Sequence, residues 1–144
     1  MEDEEIELRC TIELIGKPKE ETEKAIKKIV ENIEESGKKL AVSSQTYGEP
    51  KLIQDDFYSV YCTFNIKSDL LSLFYFVIDY APSSIELLTT KQVGVKAVDL
   101  QGLFNDLSGR MNEMDQKIKI YSGQAMLLAN ELEALKKGTQ NPSK

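Results

Sequence analysis

From Ala97 to Leu135 every heptad core position is apolar: Ala97, Leu100, Phe104, Leu107, Met111, Met114, Ile118, Tyr121, Ala125, Leu128, Leu132 and Leu135. The three–four spacing never slips. A helix with this seam is too narrow on its apolar side to be an ordinary docking face and too long to stay bare in water. It needs another helix, and the first expectation is self-association through residues 100–135. A dimer is favoured, with a higher oligomer as the alternative. The helix is predicted over roughly Val95 to Lys137, about 60 Å long at 1.5 Å per residue.

The seam specifies association more firmly than stoichiometry. Leu dominates d, but a holds Ala, Phe and Met, and no core Asn or Lys fixes the register. In a parallel pair the g-to-e′ contacts are Arg110–Asp115′ and Glu131–Lys136′, both attractive, which favours parallel pairing. Gly102, Gly109 and Gly123 all occupy f positions. Each costs about 1 kcal/mol relative to Ala in a helix. Either they are tolerated, or another backbone approaches that stripe.

Residues 1–92 read as one head domain and 138–144 as a disordered tail. Ile6, Leu8, Cys10, Ile12 and Leu14 alternate with polar residues, a half-buried strand. A helix follows from Pro18 to about Ser36, with Thr22, Ala25, Ile26, Ile29, Val30 and Ile33 on its apolar face and Gly37 as C-cap. Lys39–Thr46 is a weak edge strand, 47–56 a loop, and Phe57–Ile66 the second clear strand. Ser68 caps a helix that ends at Tyr80 before Pro82, and Ile85 and Leu87 mark a last strand. The order β-α-β-β-α-β predicts an α+β, ferredoxin-like sandwich with an antiparallel sheet in the order 4-1-3-2 and both helices on one face. The second helix, DLLSLFYFVIDY, is apolar almost all round. One side, Leu70, Leu73, Phe74 and Val77, is assigned to the sheet. The surplus makes Leu71, Phe76, Ile78 and Tyr80 candidates for a second interface, or for burial against a neighbouring element.

Charge and composition narrow the function classes. Residues 1–92 carry 11 basic and 18 acidic residues, net −7; residues 93–144 carry 7 and 6, net +1. An acidic head is a poor polyanion binder, so nucleic acid is not expected as a partner. The open sheet face would present Arg9, Thr11, Glu13, Tyr61 and Thr63, but Asp55–Tyr61 lacks the basic and Gly positions of an RNA-recognition motif. Histidine is absent, which removes the commonest general base and metal ligand. Cys10 and Cys62 cannot build a zinc site alone. They are expected as core cysteines on the two central strands, a disulfide being the alternative. No Gly-rich phosphate loop or nucleophile elbow is present, and Ile15-Gly16-Lys17-Pro18 lacks the arginine of an acylphosphatase loop. Hence no catalytic residue, cofactor or metal is expected. No apolar run is long enough to cross a membrane, and the acidic MEDEEIE start is unlike a signal peptide, so a cytoplasmic protein is expected.

The segments IELRCTIELIGKPKEE, FYSVYCTFNIK and DYAPSSIELL, followed by the leucine-rich helix, resemble small uncharacterised archaeal proteins that join a ferredoxin-like head to a C-terminal coiled-coil helix. That resemblance implies an architecture and brings no functional residues. The head is also distantly similar to ACT-type domains, which implies a small effector held between paired heads near Gly16. The leading expectation is a non-enzymatic oligomeric scaffold, and the alternative is an ACT-like sensing module.

Overall fold

The computed structural model describes residues 4–36 and 39–139. The chain divides into two compact units, Met1–Gly94 and Val95–Lys144.

The first unit is built on two long central strands. β1 (Ile6–Gly16) buries Ile6, Leu8, Cys10 and Ile12 on one face, as its alternation requires. A later strand, Tyr58–Ser68, pairs with it antiparallel along its full length, from Ile6 opposite Ser68 to Gly16 opposite Tyr58. Between them come α1 (Lys19–Glu35), β2 (Ala41–Tyr47) and β3 (Lys51–Leu52), which makes the Tyr58–Ser68 strand β4. After β4 come α2 (Leu70–Tyr80) and β5 (Ser84–Leu87). The sheet runs β2-β4-β1-β5, with β3 pairing β4 off this path.

The numbering differs from the expected four-strand 4-1-3-2 because the segment read as a loop contains β3, a fifth strand; the four expected strands keep the neighbours that order gives them. Asp55 and Asp56 take φ values of 50° and 65°. Two successive left-handed residues form the hairpin turn whose twist matches paired strands. The Phe57 N–H donates to the Gln54 carbonyl at 2.8 Å, and the Ile53 N–H to the Phe57 carbonyl at 2.9 Å. The acidic pair is therefore the turn of a β3–β4 hairpin.

Both α1 and α2 lie on the face bearing Cys10 and Cys62 and share one core with it. From α1 come Thr22, Ile26, Val30 and Ile33. Close packing at the end of β1 requires Gly16: a Cβ there would stand 2.9 Å from Thr22 Oγ1. The Thr22 hydroxyl instead donates to the Pro18 carbonyl at 2.8 Å. The expected Gly37 cap lies outside the described residues.

The α2 cap is Asp69 rather than Ser68. Its carboxylate accepts from the Ser72 N–H at 2.9 Å and from the Ser72 hydroxyl at 2.8 Å. Ser68 is turned inward, donating to the Lys39 carbonyl at 2.6 Å. The helix buries Leu73 and Phe76, and Phe76 meets Phe64 edge-on with centroids 6.2 Å apart. Ala81, at φ 44°, ends it by donating its N–H to the Val77 carbonyl.

The second unit contains α3 (Ala97–Thr139), 43 residues. It starts two residues later than expected and runs through Gly138 and Thr139, so the expected tail begins inside the helix. Residues 140–144 lie outside the described ones. Lys136 and Lys137 occupy the last turn, where positive charge complements the helix dipole. The Thr139 hydroxyl reaches the Lys136 carbonyl at 2.9 Å.

Candidate interaction surfaces

On α3 the expected seam side chains face solvent. Met111, Met114, Ile118, Tyr121, Leu128, Leu132 and Leu135 are each between 54 % and 69 % exposed. Ala125 is exposed too, as is Phe104, while Leu100 and Leu107 are less so. Fully burying one such side chain is worth about 1.5–3 kcal/mol, so a helix left like this has much to gain from a cover. Asp115, one of the expected inter-helix partners, is held within its own helix by Lys119 at 2.7 Å. At Gly102, Gly109 and Gly123 an added Cβ would meet nothing within 4 Å. Ile120, Met126 and Leu127, which the heptad reading passes over, are also exposed.

The second candidate surface, on α2, shrinks. Phe76 is fully buried, and this corrects its assignment to an exposed patch. The helix is rotated from the expected orientation so that Leu73 and Phe76 point into the core, with Leu70 and Val77 at its border. Tyr80 is half-buried and stacks on Phe76 at 5.4 Å. Ile78 is half-buried, and Leu71 stays exposed.

The open sheet face is a network of paired polar and charged groups in which carboxylates outnumber cations. Thr11 and Thr63 hydroxyls meet at 2.9 Å, Arg9 pairs with Glu86 at 3.0 Å, and Ser59 donates to Glu13 at 2.6 Å. These side chains satisfy one another, and the carboxylates Glu7, Glu13 and Glu86 would repel a phosphate backbone. One end of this face is apolar. Ile15, Ile53, Phe57 and Tyr61 are all exposed there, with the Lys17 amine 4.7 Å from the Phe57 ring centre. The sequence signal for this end was the Leu52-Ile53 pair just before the two aspartates.

The two thiols are buried and unlinked. Cys10 lies opposite Phe64, and Cys62 opposite Ile12. Burial pushes the Cys10 thiol up to about 11 and raises Cys62 as well. Thiolate, the reactive form, is disfavoured in both. Asp69 goes the other way. Burial alone would raise its carboxyl, but hydrogen bonds from Ser72 and Ser68 outweigh that and hold it below the ordinary value. Beside β1 a shallow depression is lined in part by Glu7, Lys67, Thr89 and Lys91. Glu7 and Lys67 approach to 3.9 Å within it.

Taken together, the two units define an α+β protein: an antiparallel sheet with two helices over one face, and a long helix whose apolar seam lies open. Residues 7–142 match the MJ0538 family, named for an archaeal protein, and the chain belongs to that family. No curated protein and no solved structure matches the chain. No helix is long and apolar enough to cross a membrane among the described residues.

Proposed function

We propose that this protein is a non-enzymatic, self-associating scaffold, in which α3 forms a parallel coiled coil and displays ferredoxin-like heads. One observation carries the reading: the unbroken a/d run lies on a single continuous helix and leaves its large side chains more than half exposed from Met111 to Leu135. A seam of that length and width matches a partner helix of the same kind. The Glu131–Lys136′ contact supports the parallel arrangement. In the head, the helices on one sheet face and the central β1–β4 pair support the ferredoxin-like assignment. Two unlinked thiols suit a reducing compartment, and we assign the protein to the cytoplasm.

Sedimentation of the full chain tests the reading. The expected result is a dimer at micromolar concentration. Leu107→Asp together with Leu128→Asp should yield folded monomers. A wild-type monomer at that concentration overturns the scaffold.

A further inference from the structure

The a/d seam does not account for all the apolar side chains of α3. Ile120, Leu127 and Ala134 hold successive c positions, with Gly123 and Asn130 at the f positions between them. This repeats the three–four spacing on a second ridge. At about 100° per residue the ridge lies on the side of the helix away from the a/d seam. Ile120 is 57 % and Leu127 64 % exposed, and Met126 beside them is 67 % exposed. In the N-terminal half the c positions are Asp99, Asp106 and Glu113, so the apolar ridge is confined to the C-terminal half.

We infer that this ridge pairs antiparallel with the same ridge of another copy, joining one coiled-coil pair to the next. The inference rests on the a/d pairing proposed above. Charge identifies both the occupant and the direction. The borders of the ridge are the b residues Lys119, Met126 and Glu133 and the g residues Lys117, Gln124 and Glu131. Both borders run from basic to acidic along the chain. Paired parallel, Lys119 would face Gln124′ and Met126 would face Glu131′, and no opposite charges meet. Paired antiparallel with Gly123 opposite Leu127′, Lys119 faces Glu133′ and Lys117 faces Glu131′. Two-fold symmetry makes each of these contacts twice. Glu113 then faces Lys137′ at either end.

The same register gives Gly123 a role. A Cβ at Gly123 would meet nothing within the chain, and in the antiparallel register that space receives Leu127′. The Ile120 layer faces Asn130′, so the ridge is short and only partly apolar. Lys119 also has Asp115 on its own helix at 2.7 Å as a competing partner, and Glu131 is shared with Lys136′ of the a/d pair. Association through this ridge is therefore weaker than through the a/d seam, and it appears only as concentration rises. Because the two faces point away from each other, joined pairs leave a free ridge at each end and the assembly can grow.

Sedimentation velocity at low salt, run from micromolar to high-micromolar protein, separates the two levels. Wild type should pass from dimer to larger species, and added salt should reverse the step by screening the charge pairs. Leu127→Glu should stop at the dimer. Lys119→Glu should stop there too, and the double swap Lys119→Glu with Glu133→Lys should recover the larger species. The Met126→Cys chain should be joined to itself by a short thiol-specific cross-linker, because Met126 faces Met126′ across the antiparallel two-fold. In a parallel a/d pair those positions point away from each other. A wild type that stays dimeric at every concentration overturns this inference and leaves the a/d reading standing. A dimeric double swap overturns the antiparallel register. A monomeric wild type sinks the a/d reading itself.

Discussion

The head and α3 spend their apolar residues in opposite ways. In the head, Phe64, Phe76, Ile26, Ile33 and Ile66 are wholly removed from water by the chain's own helices and sheet. Along α3, Phe104, Ile118, Tyr121 and Leu128 are as apolar and stay in solvent. The difference lies in geometry, since a sheet and two amphipathic helices can close on themselves and one continuous helix cannot. The head's apolar residues therefore stabilise its fold, while most of those of α3, Leu103 excepted, are left uncovered by the chain itself.

Substitutions of similar chemistry should divide along that line. Phe76→Ala should have the largest effect on the head, about 3–5 kcal/mol from lost burial and the cavity left against Phe64 and Tyr80. Chemical denaturation followed by circular dichroism checks this. A loss under 1 kcal/mol would mean that Phe76 is not in the core. Leu128→Asp should move mass from dimer to monomer while the concentration-independent unfolding of the head stays where it was. A fall in head stability to match would erase the contrast.

Asp69→Ala comes next, with about 1 kcal/mol for loss of a helix cap. The sign of its pH dependence follows from the lowered carboxyl of Asp69. Its contribution is full above the ordinary carboxylate range near pH 4 and is lost as pH falls through the lower folded value. The gap between wild type and variant should therefore be widest near neutral pH and narrow in acid. A gap independent of pH would remove the ionised cap from the account. The smallest effect is expected at Leu71→Ser, within about 0.5 kcal/mol because the side chain is exposed. A larger loss, or a change in oligomer size, would restore a contact surface to α2. Labelling offers a separate check: Cys10 and Cys62 should react with maleimide only after unfolding.

The sequence made some of this plain and hid the rest for physical reasons. β1 and β4 were legible because each alternates strictly and buries one side. The α3 seam was legible because a heptad pattern repeats many times. β3 was hidden because two residues carry no periodicity, and Asp55-Asp56 reads equally as loop and as a tight turn. Phe76 was misplaced because α2 is apolar on nearly every side, so pattern alone cannot fix its rotation. Asp69 and Ser68 are both good caps, and only the contact of Ser68 with Lys39, 29 residues away, decides between them. The ridge around Leu127 escaped a reading confined to a and d positions. It stands out only where exposure is known residue by residue.

The irregularity in β2 bears on how such chains coexist when crowded. β2 lies at one end of the sheet, and its pairing with β4 shifts between Ser43 and Thr46, with Ser44 at φ 55°. An incoming strand would find the row of donors and acceptors there out of step after a few residues. Were chains gathered by their helices as proposed above, many such borders would come close together, where a straight one would invite strand-by-strand growth into aggregates. The misstep blunts that border, so the proposed gathering through helices would not bring runaway sheet formation with it.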